Sequence, residues 1–505
     1  MNESYQPRRG GEEKKSRSVA GLVVIAALFL VEAAFCVFLA MTKLLPMKFL
    51  LLAVVALLIV LGIVTLLVVR PEKKGRFAVG VVFALLTAVM LAVAAYFVAK
   101  GVDTLSNITE TKREVAHIGV YVLTESEAQT INDVAEGKLG ILSELDRETV
   151  DRSLELLEAE LAREVSCVEH PGLAELMTAL YDGQVSAVVF NDAYIGVLEE
   201  MEGFGDVATR IRELTKVEVV SEEPEQPAAP EEQEETPVDT DWLEKPEHVF
   251  TMYISGIDSR HGLTAKSRSD VNILAMVNTK TRQVLLVSTP RDYYVPLPIS
   301  NGVRDKLTHA GIYGVSVSMG ALEMLYHVDL DYYFRVNFEG FKDIINSLGG
   351  VTVHSEVSFS VGGHSFKKGS NYMDGDAALT FARERYSLAG GDRQRGKNQM
   401  AVIKGVINKA LSPEILTNYA SLMKAVEGSF ETSMPYDMIA SIVRQQLAEG
   451  GGWNIVSYSV DGGNASKTTF SSNSKAYVMI PDQSTIDTAQ ELMRRLMEDE
   501  VLSAP

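Results

Sequence analysis

The chain has little cysteine and tryptophan, two of each in 505 residues. Cys36 falls inside an apolar run and Cys167 lies far downstream, so a disulfide framework is excluded. Neither CxxC nor HExxH occurs, which argues against a structural or peptidase zinc site. GxxxxGK[ST] and GxSxG are also missing, which removes P-loop NTPases and hydrolases of the nucleophile-elbow type. Basic charge is scarce outside the N-terminus. The first 100 residues carry 12 Lys and Arg against 5 Asp and Glu, whereas the rest carry 35 against 62. So acidic a body is a poor general nucleic-acid binder, and any anion site in it must be a local cluster of Arg and Lys.

What is abundant is apolar sequence. Hydrophobic residues make up 47% of the chain and charged ones 23%, as in folded proteins, and the length suits about three domains. Three runs, residues 19–41, 49–69 and 77–98, are each long enough to cross about 30 Å of hydrocarbon as a helix. Three in succession do not fit a cleaved signal peptide. Arg8, Arg9, Lys14, Lys15 and Arg17 precede the first run, and Arg70, Lys73, Lys74 and Arg76 lie between the second and third. Only Lys43 and Lys48 flank the other loop. The positive-inside rule puts the tail and the second loop in the cytoplasm, and everything after Lys100 outside the cell membrane. A catalyst there is remote from cytosolic ATP and needs an already activated substrate. Glu32 lies within the first run, either as a functional carboxylate or as a protonated helix contact; no second charge in the runs offers a relay partner.

Residues 101–220 are expected to form a small α/β accessory domain, with strands at 117–123 and 185–190 and amphipathic helices at 147–165 and 172–181. The stretch YDGQVSAVVFNDAYIGVL is similar to segments of transporter substrate-binding proteins, so ligand binding and simple packing both remain open for this domain. Residues 221–241 hold nine acidic residues, four prolines and no base, the composition of a solvated linker, here bounded at 221–246. From 247 to 505 strands and helices alternate. Strands are expected at 250–256, 271–278, 283–288, 332–337, 453–460 and 475–480, and helices at 316–326, 338–348, 375–382, 396–411 and 485–498. That pattern predicts an α/β or α-β-α layered domain.

Three clusters there could carry chemistry. Asp258-Ser259-Arg260 ends the first strand, and Arg268-Ser269-Asp270 opens the second. Carboxylates at neighbouring strand ends suit a hard cation such as Mg²⁺. Pro290-Arg291-Asp292 follows the third strand, with Lys306 beyond it. The third cluster is Arg383-Glu384-Arg385, then Asp392 to Arg395, and Gln399. In an extended segment Arg383 and Arg385 would point to one side, and on a helix Arg395 and Gln399 share a face. Converging guanidinium groups suit phosphate, and with a carboxylate-held cation they supply what phosphoryl transfer needs. By spacing alone the same residues also fit surface salt bridges and a solvated helix end.

The strings GIDSR, SRSDVNILAMVNTKTRQVLLVSTPRDYYV, DKLTHAG, FRVNFEGFKDIINSLGGVTV, DGDAALTFARERY and GDRQRGKNQMAVIKGVI occur in this order over about residues 247–410 and resemble the LytR–CpsA–Psr (LCP) family. The resemblance implies an LCP-like catalytic domain that moves an anionic glycopolymer, such as teichoic acid or capsular polysaccharide, from a polyprenyl-pyrophosphate carrier to peptidoglycan. It implies Mg²⁺ on Asp258 and Asp270, either of which could act as base. Arg268, Arg291, Arg383, Arg385 and Arg395 would hold the pyrophosphate, with Lys306 and Gln399 beside them and Arg291 also catalytic. Many members carry Arg where this chain has Asn398, so Arg393 or Lys397 would have to replace that charge. His309 falls in the KLTHA block with no assigned role. A carrier of this kind implies an apolar channel, for which Phe341, Ile344, Ile345 and Leu348 on one helix and Met400, Ile403 and Ile407 on another are candidates. A lipid-pyrophosphate hydrolase and a non-enzymatic membrane regulator or wall sensor are the alternatives.

Overall fold

The computed structural model describes residues 10–69, 74–109, 113–220, 245–257, 262–412 and 428–503. They form two compact units: residues up to Asn107 together with Pro435–Gly451, and Ile108–Met434 together with Gly452–Pro505.

The first unit holds three helices that are long and apolar enough to cross a membrane, with spans at Val19–Met41, Met47–Val68 and Gly75–Ser106. Their outward faces stay apolar, as lipid contact requires, with Leu30, Leu66 and Leu86 more than 60% exposed. Small residues bring the helices together. A Cβ at Gly21 would stand 2.8 Å from the Val68 carbonyl, and one at Gly80 would stand 2.8 Å from Leu67 Cβ. Glu32 is buried in this bundle. A fourth helix, Tyr436–Glu449, belongs to this unit. Tyr436 Oη donates to the Thr42 carbonyl at 2.8 Å, and Lys43 Nζ lies 3.1 Å from Asp437 Oδ1. Lys48 donates to the Ala448 carbonyl. Sequence periodicity did not place an element there.

The second unit contains two main sheets. The first has the order Ser166–His170, Lys138–Leu142, Ala187–Asn191, Val115–Leu123, Ile211–Val220. Val115–Leu123 runs antiparallel to both neighbours, and the other pairings are parallel. Helices Arg147–Leu161 and Leu173–Tyr181 pack on it as their apolar spacing predicts. Three of its strands were not anticipated. Ile211–Val220 is mostly half-buried and lacks a continuous apolar run, and the other two are only five residues long.

The second sheet has the order Phe430–Thr432, Tyr332–Asn337, Val249–Ile257, Ser269–Asn278, Gln283–Thr289, Asn454–Ser459. Its central strands are covered on both faces, and alternate residues serve alternate layers. Tyr253, Leu274, Met276, Leu285 and Val287 join the helices Val315–Tyr326 and Gln483–Met497 in one core. Ile273, Ala275 and Leu286 point the other way and meet Met400, Ile403 and Ile407 of the helix Asp392–Ala410. The α-β-α layering expected from alternation is present.

A buried charge triad ties the sheets together. Arg335, on the Tyr332–Asn337 strand, donates through Nη1 to Glu114, just before the first sheet begins, and through Nη2 to Glu431 Oε2 at 3.0 Å. Tyr333 Oη donates to the other Glu431 oxygen at 2.8 Å, and the Val315 amide donates to Glu114. Removing one member of such a buried set leaves the others uncompensated, at a cost of about 3–5 kcal/mol. Arg335→Ala is therefore expected to lower the thermal midpoint of the purified protein by at least 5 °C. Arg335→Met with Glu114→Gln and Glu431→Gln should recover part of that loss in the same melting experiment.

Candidate functional site: a guanidinium-lined cleft at the strand ends

The carboxyl end of Gln283–Thr289 meets the start of Ser269–Asn278, and both deliver side chains to one place. The buried Tyr253 hydroxyl donates to Asn272 Oδ1 at 2.6 Å and lies 2.9 Å from Ser269 Oγ, which fixes the backbone on either side of Asp270. Arg291, two residues past the strand, donates through Nη1 to Asp270 Oδ1 at 2.7 Å. Arg395 and Gln399 come from successive turns of the Asp392–Ala410 helix, as their spacing predicts. That helix approaches the strand end closely: a Cβ on Gly396 would lie 2.9 Å from Ser288 Oγ. The result is a narrow cleft whose lining includes Asp270, Arg291, Asp392, Arg393, Arg395 and Gln399.

Beyond Arg291 lies a second group. Its Nη2 donates to Glu200 Oε1 at 2.6 Å, and Glu200 follows the short helix Ile195–Glu199 of the first sheet's layer. Arg268 Nη1 donates to the same oxygen at 3.1 Å, and Lys306 Nζ donates to the other oxygen. Lys306 is almost wholly buried and also lies 3.4 Å from Asp292 Oδ1.

Burial alone would raise the Glu200 carboxyl, but Lys306 and Arg291 outweigh it and bring it down to about 2. Burial would lower the Arg291 guanidinium, yet Asp270, Asp292 and Glu200 raise it. Burial pushes the Asp392 carboxyl up against the pull of Arg395, and lowers Arg395 in turn. His309 is a buried partner of the polar interior: its Nδ1 lies 2.7 Å from Asp305 Oδ1, and Asp305 Oδ2 accepts from the Ser471 amide at 2.8 Å.

The structure thus brings together Asp270, Arg291, Arg395 and Gln399, with Arg268 and Lys306 on the far side of Arg291. Asp258 lies outside the described residues. The third Arg cluster departs from expectation. Arg383 is the last residue of the helix Gly375–Arg383 rather than part of an extended pair, and its guanidinium stacks on Phe338, 4.3 Å from the ring centroid. Arg385 lies over Tyr386 at 4.6 Å, and its charge still reaches Asp392 and Arg395. Asn398 is turned away from the cleft: its Nδ2 donates to the Phe381 carbonyl at 3.2 Å and stitches two helices together. Lys397 pairs with Glu356 at 3.2 Å, and Arg393, at the cleft, holds Asp461 and the Gly462 carbonyl. The two apolar stripes do not face one another. Phe341, Ile344, Ile345 and Leu348 pack with Ala401, Val402 and Val406, while Met400, Ile403 and Ile407 pack on the sheet from the opposite side of the same helix. The reason is the helical period, which separates residues 401, 402 and 406 from 400, 403 and 407.

Among the described residues no cluster of three or more His, Cys, Asp or Glu could hold a metal ion. The donor chemistry nevertheless suits a hard cation. Asp270 accepts from Arg291 and Thr308 through Oδ1, and Asp292 and Asp392 are oxygen donors close by.

Fold and cleft together define a multi-pass membrane protein whose extramembrane α/β sheet ends in a cationic cleft. The chain belongs to the LytR_cpsA_psr family, whose model matches residues 213–495. It is 31% identical over 249 residues to the Enterococcus faecalis protein named polyisoprenyl-teichoic acid–peptidoglycan teichoic acid transferase TagU, covering 49% of this chain and 80% of that one. The Bacillus subtilis protein of the same name is 36% identical over 189 residues, which is 37% of this chain and 61% of the relative. Among solved structures, that of B. subtilis TagU matches with a TM-score of 0.40 and 28% identity, covering 51% of this chain and all of the other. TagT bound to LI-WTA matches with a TM-score of 0.40 and 23% identity over 51% and 93%.

Glu200 was not singled out in the sequence, where it reads as one of several acids at a helix end. Because its folded carboxyl lies below the ordinary 4.5, its stabilisation is complete above about pH 4.5 and fades as pH falls towards 2. That interval corresponds to up to about 3 kcal/mol. The difference in thermal midpoint between the wild type and Glu200→Gln should therefore be largest near neutrality and shrink as pH is lowered from 4.5. A gap that stays constant down to pH 3 would mean that the three cations do not act on this carboxylate.

Proposed function

We propose that the protein is a membrane-anchored phosphotransferase that attaches an anionic glycopolymer, carried on a polyprenyl pyrophosphate, to peptidoglycan. The observation that carries this reading is the cleft itself: Arg291 and Arg395 converge beside Asp270 at the ends of two strands. The activity for which the relatives are named supports it. The positive-inside distribution gives a cytoplasmic N-terminus and an extracytoplasmic body. The packing of Tyr436–Glu449 against residues 42–48 supports a common side for the first loop and the chain beyond the third span.

In this reading Arg291, Arg395, Arg268 and Lys306 bind the carrier's pyrophosphate, Gln399 donates beside them, and Arg385 adds charge at the rim. Arg383 would join only by leaving the Phe338 ring. A peptidoglycan hydroxyl attacks the glycan-side phosphorus; its oxygen forms the new P–O bond as the bond to the bridging oxygen breaks and lipid phosphate leaves. Asp258 or Asp270 accepts the hydroxyl proton. Asp270 and Asp258 would hold Mg²⁺, which when bound neutralises pyrophosphate charge. Glu200, held near 2, is too weak a base for this step.

Two outcomes follow from the roles assigned. Arg291→Lys keeps the charge but loses the two-pronged donor, and should cost at least tenfold in polymer transfer, equivalent to about 1.4 kcal/mol. Asp270→Asn, whose amide oxygen still accepts from Arg291, should abolish any Mg²⁺ stimulation of transfer while the protein still melts in a single cooperative transition. Both are measured with purified full-length protein, a lipid-linked polymer and peptidoglycan; wild-type rates in either variant would remove that residue from the mechanism.

A further inference from the structure

Arg291 serves two neighbouring anion seats. Nη1 faces Asp270 and the open cleft, while Nη2 faces the Glu200 carboxylate. The second seat is completed by Arg268 Nη1 on one Glu200 oxygen and Lys306 Nζ on the other. Three cations on one carboxylate is the coordination expected around a phosphate rather than around a surface Glu. The seat is also sheltered, with the Lys306 side chain 3% exposed and that of Arg291 11%. It is built for close approach. Arg268 Nη1 also donates to the Gly196 carbonyl at 3.1 Å, and a Cβ on Gly196 would stand 2.4 Å from the Arg268 guanidinium carbon. The acid comes from the layer of the first sheet, whereas all three bases come from the segment around the second.

We propose that Glu200 is a specificity residue that occupies the seat of the second phosphate of a diphosphate ligand and must be displaced for that ligand to bind. The proposal rests on reading the cleft as a pyrophosphate site. Without ligand, Glu200 neutralises three sheltered cations that would otherwise repel one another. In this scheme a monophosphate would engage Arg395 and the Nη1 side of Arg291 at the cleft and leave Glu200 in place. A diphosphate needs both seats, and its greater charge can repay displacement of a single carboxylate. The 101–220 segment thereby sets the threshold for which headgroups the cleft retains.

The test uses the full chain in detergent micelles, with inorganic pyrophosphate and inorganic phosphate as probes, titrated by calorimetry and by ligand-induced thermal shift. Glu200→Gln should bind pyrophosphate at least tenfold more tightly than the wild type, with phosphate affinity changed less than twofold. Glu200→Asp, which keeps the charge but shortens the reach, should fall between them and guards against a folding defect in Gln. Unchanged or weaker pyrophosphate binding in both variants would reduce Glu200 to a structural partner and overturn the proposal. Equal tightening for both probes would overturn it as well, showing only a general gain in positive potential. Arg395→Gln separates the two readings. If it leaves pyrophosphate binding intact, or if no variant binds pyrophosphate, the cleft assignment itself fails; if it weakens binding while Glu200→Gln has no effect, only the displacement idea falls.

Discussion

The guanidinium of Arg291 is the point on which the extramembrane unit turns. One nitrogen holds Asp270 from the central sheet and the other holds Glu200 from the neighbouring layer. Both ion pairs are sheltered, so removing one partner costs more than it would in a surface pair. Placing this side chain requires the Gln283–Thr289 strand to end at Pro290 and the 392–410 helix to approach within the reach of Gly396. The two-faced core supplies that precision, because residues alternating along the strands lock helices on both sides of the sheet.

The central sheet was largely legible because its strands carry their own evidence. Residues 271–278 and 283–288 are apolar runs joined by a short polar turn, and burial on both faces leaves such runs nowhere else to go. The membrane helices were legible for the same reason. Strands such as Ile211–Val220 and Lys138–Leu142 were not, because their neighbours rather than their composition make them strands. Among the candidate side chains, Asp270, Arg291, Arg395 and Gln399 share one cleft as their positions at strand ends and on a helix face suggest. Glu200 could not be found this way: it lies 68 positions before Arg268 and 91 before Arg291, and only tertiary packing brings them together. Arg383 does not form an extended pair with Arg385 for a local reason: the helix runs one residue further than its apolar stripe and hands the guanidinium to Phe338.

Asn398 shows how a departure from a family pattern can be absorbed. A charged side chain there would have to share a buried position with the Phe381 carbonyl and Gln394, both of which an amide satisfies through one donor and one acceptor. The charge at the cleft comes instead from Arg395 on the same helix and from Arg385 nearby. The position has become part of the scaffold that holds the helix against its neighbour.

The buried Arg335 triad carries a consequence for how the molecule can be divided. Glu114 stands before the acidic stretch in sequence, whereas Arg335 and Glu431 stand after it, so the stretch joins two parts of one unit. A polypeptide beginning after that stretch would inherit Arg335 with one acid instead of two, and Arg291, Arg268 and Lys306 without Glu200. It would also expose Ile312, Tyr313 and Phe470, which pack on the core of the first sheet. The region bearing the family motifs is in this sense not self-sufficient: it borrows two carboxylates from the segment that precedes it, and the boundary drawn by homology passes through a set of charges that only the longer chain completes.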